Sequence, residues 1–260
     1  YYYGLILNFQ FFTTIALPIE VPMTDKNIER SLRLFPFLGL FLGIIYALFA
    51  YLLQEYSPFS NLLVAFFIWL LTIILTGGIH IDGWMDSADG FFSYREPEKR
   101  LEIMTDPRLG AFGVIGGIVL LAAKFLFIYE LLTKTNINSY FYIALLPLLS
   151  RTLMAFTILL VPNAKNKGLG YLFQKAGEKS TLPFFSLYLF ILLPLYFISS
   201  IHFFNGLILF SLTILIFYFV KSKSVKWFGG MTGDIVGAAT EGMEVLLWFT
   251  LLLLHYFGMV

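Results

Sequence analysis

The stretch Gly77-Gly78-Ile79-His80-Ile81-Asp82-Gly83-Trp84-Met85-Asp86-Ser87-Ala88-Asp89-Gly90 sets three carboxylates at spacings of four and three, among apolar and glycine neighbours. On a helix, at about 100° per residue, Asp82, Asp86 and Asp89 fall within about 60° of one another and share one stripe. Gly83 and Gly90 lie on an adjacent stripe, where a missing side chain admits another backbone or a ligand. Three like charges this close repel strongly, and a cation is the usual remedy. Oxygen donors select a hard ion such as Mg²⁺ or Mn²⁺, which typically bridges a few carboxylates to substrate phosphates. A solvated acidic face is the plainer alternative, and the apolar neighbourhood argues against it.

A second acidic segment, Gly229-Gly230-Met231-Thr232-Gly233-Asp234-Ile235-Val236-Gly237-Ala238-Ala239-Thr240-Glu241-Gly242-Met243-Glu244, mirrors the first. Asp234 and Glu241, seven apart, share a helical face with Gly237 near it. Acids at a helix start also favour its dipole, so helix-start chemistry alone is the competing reading. The Gly-Gly and Thr-Gly-Asp sequences favour a second half-site. Cations are spread among these acids. Arg108 follows Asp106-Pro107 at the entrance to a glycine-rich apolar run, and Lys165 and Lys167 precede Gly168-Leu169-Gly170. Lys124 and Arg151 sit inside apolar runs, where a cation normally faces a polar cavity or a partner; snorkelling is the alternative. Residues 95–108 read as an amphipathic helix at the membrane face, with Glu96, Glu98 and Lys99 solvated.

The elements that carry these groups are membrane spans. Of 260 residues, 59% are hydrophobic and 13% charged, a balance that a water-soluble domain of this size does not have. The expected architecture is a single all-α polytopic domain over residues 1–260. Apolar runs at 34–53, 61–77, 110–130, 139–161, 182–200, 203–220 and 244–260 predict seven transmembrane helices, or eight if residues 1–17 also cross. That first segment reads as an interfacial or partly inserted helix rather than a signal peptide. Gly39 and Gly43 form a small-xxx-small pair suited to helix contact. The loops 18–33, 78–109, 162–181 and 221–243 hold every Lys and Arg except Lys124, Lys134 and Arg151. By the positive-inside rule those loops are cytoplasmic, and the candidate chemistry lies with them at one membrane face.

Several chemistries are excluded or unsupported. There is no cysteine, so thiol nucleophiles and thiolate metal sites are out, and three scattered histidines do not build a zinc or haem site. A net charge of +1 gives no reason to expect nucleic acid. P-loop, Rossmann and kinase signatures are missing. Carboxylates for a divalent ion, with Arg and Lys at the same mouth, suit phosphoryl transfer from a pyrophosphate. One aspartate would take the proton of an attacking hydroxyl. The residues alone stop at a metal-dependent membrane transferase acting on a phosphorylated substrate.

The motif Gly78-Ile79-His80-Ile81-Asp82-Gly83 with Asp86 and Asp89-Gly90, followed by Leu101 through Val114, resembles the cobalamin synthase (adenosylcobinamide-GDP ribazoletransferase) family. The likeness continues through Lys124, Arg151, Pro162, Lys165, Gly168-Leu169-Gly170 and Gly230 to Asp234, Gly237 and Glu241, with Phe35-Pro36, Gly39 and Gly43 early in the chain. Lys165 stands where an arginine is common in the family, and lysine binds phosphate as a point charge rather than bidentately. The resemblance implies transfer of the cobinamide-phosphate moiety of adenosylcobinamide-GDP to α-ribazole or its 5′-phosphate, with release of GMP. It further implies Mg²⁺ as cofactor, with Mn²⁺ the alternative, and a multi-pass protein of the cell inner membrane in contact with lipid, open to self-association.

The expected assignments are Asp82, Asp86 and Asp89 as catalytic residues; Asp82, Asp86, Asp89 and Asp234 as metal ligands; and Arg108, Lys124, Arg151, Lys165, Asp234 and Glu241 as substrate or cofactor contacts. Asp86-x-x-Asp89-Gly90 is also similar to CDP-alcohol phosphotransferases, although the Ala-Arg and later aspartates of that motif are missing. A cation-coupled transporter is the alternative outside enzymes, and it would need the acids near the midplane between repeats.

Overall fold

The computed structural model describes residues 1–177, 179–185, 188 and 200–260, all helix, turn or loop apart from one isolated β-bridge. In chain order the helices are α1 (Tyr2–Phe12), α2 (Asp25–Arg33), α3 (Phe35–Tyr56), α4 (Asn61–Thr76), α5 (Ile79–Phe92), α6 (Pro97–Ile103), α7 (Ala111–Leu132), α8 (Ile137–Leu160), α9 (Leu169–Ala176), α10 (Ser200–Phe228) and α11 (Gly233–Tyr256), with a 3₁₀ turn at Lys179–Phe185.

Among the described residues, α3, α7, α8, α10 and α11 are long and apolar enough to cross a membrane, and a sixth crossing results if α4 and α5 count as one broken span. The expected span at 182–200 falls largely on residues outside the described set. Within residues 1–17 the structure has the helix Tyr2–Phe12, of 11 residues, which is not among the candidate spans. The other departures have local causes. α10 runs through Phe228, eight residues past the expected end. α11 starts at Gly233 rather than 244, because Thr232 caps it by accepting the Ile235 N–H at 3.3 Å. The acidic helix start expected here is present, with Asp234 in the first turn of α11 and Glu241 about two turns further along it. The amphipathic segment contracts to Pro97–Ile103, leaving Asp106 and Arg108 in the following turn.

α3 packs most extensively on α8, and the Gly39/Gly43 pair makes this possible: a Cβ at either position would overlap the carbonyl of Pro147 or Ala144. α11 lies at the centre, against α5, α7, α8 and α10. At one end of the bundle Ser139 meets His255 and Tyr142 meets His202, each at 2.8 Å. Both acidic segments gather at the other end.

Candidate active site

The turn between α4 and α5 sets the geometry. Gly77 (φ 64°) and Gly78 (φ 72°) both occupy the left-handed region, which residues with a Cβ rarely adopt. The chain bends by 87° there, so α5 runs across the end of the bundle instead of continuing α4. α5 then crosses α11 through two glycine notches. A Cβ on Gly83 would stand 2.6 Å from the Asp234 carbonyl oxygen, and one on Gly237 would stand 3.3 Å from the His80 Cα. These two contacts bring the distant acidic segments together.

Asp82 and Asp234 line the same cavity of about 410 Å³, with His80, Lys165, Lys167 and Gly233 on its wall. Asp86 stands near enough to feel the charges of Asp82, Asp234 and Asp89. The basic wall is held by a short parallel bridge between Asn163 and Met231: Ala164 N–H donates to Met231 at 2.9 Å, and Met231 N–H to Pro162 at 2.8 Å. Lys165 Nζ donates to the Leu101 carbonyl at 2.8 Å, leaving donor capacity for a ligand. Burial, then the neighbouring Lys167 charge, lowers the Lys165 pKa. Two helices begin at this wall, α9 after Gly168 and α11 after Thr232, and their free N–H groups favour an anion. The cavity thus brings carboxylates, lysines and two helix starts to one space.

The family model described as cobalamin-5-phosphate synthase matches residues 4–252. The chain belongs to the cobalamin-5-phosphate synthase family. Its curated relatives include the adenosylcobinamide-GDP ribazoletransferases of Geobacillus sp. (strain WCH70), 35% identical over 99% of this chain and 98% of the relative, and of Desulfitobacterium hafniense (strain Y51), 35% identical over 91% of each. That of Treponema denticola is 34% identical, over 95% of this chain and 96% of its own length. No solved structure matches. Neither the CDP-alcohol phosphotransferase nor the transporter reading is favoured by this membership.

In this cobalamin-5-phosphate synthase family member the remaining expected residues have different surroundings. Asp89 does not line the cavity and anchors α7: its two oxygens accept the Gly110 and Gly113 N–H groups, each at 2.8 Å, and a Cβ at either glycine would overlap the carboxylate. Each oxygen thus holds one N–H of a helix start. Among the described residues no three acidic or histidine side chains converge closely enough to enclose a metal, so the four expected aspartates do not form an all-protein cage.

Lys124 and Arg151 are buried and ion-paired. Lys124 Nζ reaches Glu241 at 2.6 Å and Glu244 at 2.9 Å, and Arg151 reaches the other oxygen of Glu244 at 2.8 Å, all four side chains being at most 3% exposed. Glu241 is thereby a partner of Lys124 rather than an open ligand of the cavity. Sequence reasoning missed Glu244 as the hub, although two cations inside apolar runs signal buried acids of matching charge. Arg108 stands outside the cavity; its side chain is 86% exposed and grips Asp106 at 2.9 and 2.6 Å. That grip holds the Asp106 carboxyl at about 2.

Proposed function

We propose that this protein transfers the cobinamide-phosphate moiety of adenosylcobinamide-GDP to α-ribazole or α-ribazole 5′-phosphate and releases GMP, at the cytoplasmic face of the cell inner membrane. The observation that carries the site assignment is the shared cavity: Asp82 and Asp234, from distant parts of the sequence, line one space with Lys165 and Lys167.

The donor set suits Mg²⁺. This ion is typically held by one or two carboxylates, several waters and substrate phosphates, and does not need a protein cage. Asp82 and Asp234 would hold it, with Asp86 beside them; Asp89, committed to α7, would not. When bound, Mg²⁺ supplies neutralising charge at the departing nucleotide phosphate.

The chain's own groups supply the rest. Lys165, Lys167 and the starts of α9 and α11 bind and orient the diphosphate. A ribazole hydroxyl attacks the phosphorus that carries cobinamide; the new O–P bond forms as the P–O bond to GMP breaks. An aspartate of α5, Asp82 or Asp86, takes the hydroxyl proton. Holding the two substrates in line on a helix crossing supplies most of the acceleration in reactions of this kind.

The test is GMP release by purified protein in liposomes. Asp82→Asn and Asp234→Asn each lower kcat/KM by about 100-fold or more, and a chelator abolishes activity until Mg²⁺ is restored. Near wild-type rates in both variants at saturating Mg²⁺ overturn the site assignment.

A further inference from the structure

A second large space lies behind the α5–α11 crossing, apart from the acidic cavity. It is a slot of about 570 Å³ between α5, α7, α10 and α11, and its wall is almost wholly apolar. Along α10 it follows one helical face, with Ile216, Phe219, Val220, Lys223, Ser224 and Trp227 at the spacing of a single stripe. From Ile216 to Phe228 that face is about 18 Å long at the rise of an α-helix. This is close to half of the roughly 30 Å of hydrocarbon in a bilayer. The slot also opens sideways. α7, α10 and α11 are each long and apolar enough to cross a membrane, and Val119, Phe219 and Leu246, one from each, line the slot and are exposed. In a bilayer such an opening faces lipid tails.

The wall changes character at the end of the bundle where the acidic segments gather. Phe91 and Trp227 stand 4.5 Å apart there, and Phe219 lies 6.3 Å from Trp227. Between these rings Lys223 holds its ammonium 5.2 Å from the centre of Trp227 and 5.7 Å from that of Phe219. Lys223 is half-buried, whereas its neighbours Lys221 and Lys226 are exposed. α10 contains no acidic residue, and among the described residues none of these three lysines forms an ion pair. Tryptophan and lysine together are the residues that a bilayer places at headgroup level, with the lysine stem laid along apolar surface. A half-buried cation at that level, with no acid of the chain beside it, suits a lipid phosphate.

Shape and charge together select the occupant. A soluble anion satisfies Lys223 and leaves the apolar length of the slot empty. A neutral hydrocarbon fills that length and leaves the cation without a counter-charge. An extended peptide brings N–H and C=O groups that the apolar wall cannot pair. A molecule with an anionic head and a long apolar tail meets both demands. We infer that the slot is a binding site for an anionic phospholipid, with one acyl chain lying along α10 toward Ile216 and the phosphate held against Lys223 and Ser224. Trp84 forms part of the floor against which the chain packs; its ring nitrogen is already used, donating to the Gly116 carbonyl at 3.0 Å, so the ring presents carbon.

The experiment places the full-length protein in vesicles of phosphatidylcholine and phosphatidylglycerol in equal amounts, with bromine in mid-chain on one lipid or on the other. Bromine quenches tryptophan on contact, and the quenching lost in Trp84→Phe is the part that Trp84 reports. Brominated phosphatidylglycerol is expected to quench Trp84 about two- to fivefold more effectively than brominated phosphatidylcholine, the scale of one lysine beside an anionic lipid. Lys223→Gln should remove that preference, and Ala239→Phe, which fills the slot, should suppress Trp84 quenching by both lipids. In the unaltered protein the preference should also fall at about 1 M salt, where charges are screened within about 3 Å, so the reading stays open to test if a variant does not fold. Equal quenching by the two lipids, or a preference that survives both high salt and Lys223→Gln, overturns the anionic site. Trp84 that neither lipid quenches overturns it too, and leaves the slot to a second copy of the chain or to another protein.

Discussion

Gly83→Ala tests the helix crossing on which the cavity depends. The new methyl group would stand 2.6 Å from the Asp234 carbonyl oxygen and 2.9 Å from its Cα, against 3.4 Å for the start of ordinary contact. Both obstacles are backbone atoms, so no rotamer change relieves them, and α5 and α11 must separate by about 0.8 Å. Overpacking of this kind costs about 1–3 kcal/mol. A displacement near 1 Å at a reacting centre costs up to about 100-fold in rate. The expected outcome is a 30- to 100-fold fall in kcat for GMP release, together with a melting temperature lower by about 2–10 °C.

Gly90→Ala is the internal comparison. It lies on the same helix, but its Cβ would meet Met104 Cγ at 2.9 Å and Sδ at 3.1 Å, atoms of a flexible side chain that can move aside, and the one backbone atom near it, the Arg100 carbonyl oxygen at 3.3 Å, is far less close than the Asp234 backbone is to Gly83. This variant should stay within about threefold of wild type. Activity within threefold for Gly83→Ala, at an unchanged melting temperature, would refute the close crossing and the shared site built on it.

Lys124→Met strands Glu241 and half of the Glu244 pairing in an apolar interior, and the expected loss of stability is about 3–5 kcal/mol. The double variant Lys124→Met/Glu241→Gln should recover most of it in thermal unfolding, since Glu244 keeps Arg151; additive losses would mean that these charges are not coupled. For Arg108→Ala, the donor KM should remain within about twofold, and a tenfold rise would show that this exposed guanidinium reaches the donor. The Asp106 carboxyl, held at about 2 by Arg108, is depressed below its ordinary value of 3.8. Its contribution is therefore fully present above about pH 4 and lost as pH falls through about 2, so the substitution should leave the pH–rate profile between about pH 5 and 8 unaltered while NMR titration shows Asp106 rising.

Much of the site was legible as spacing. A residue's position on its own helix follows from sequence alone, so the Asp82–Asp86–Asp89 stripe, the Gly39/Gly43 contact face and the glycine notch at Gly83 could all be read directly. What a side chain meets across a helix boundary could not. Asp89 has the same stripe position as Asp82, yet it caps α7, because Gly110 and Gly113 happen to start a helix against it. Glu241 shares a face with Asp234 and still turns to Lys124, one of two cations that composition marked as needing a partner without saying which. The bend at Gly77-Gly78 could have been suspected from the glycine pair, but its 87° angle depends on backbone dihedrals.

By itself, the sequence determined the all-helical membrane character, the two acidic segments and the family to which the chain belongs, since these depend on composition, helical period and motif. Tertiary structure alone decided which acids stay free in the cavity and which are spent on a helix start or a buried ion pair. The physical reason is that a charge in a low-dielectric interior takes the nearest opposite charge or unpaired N–H, and nearness between helices is a property of their packing.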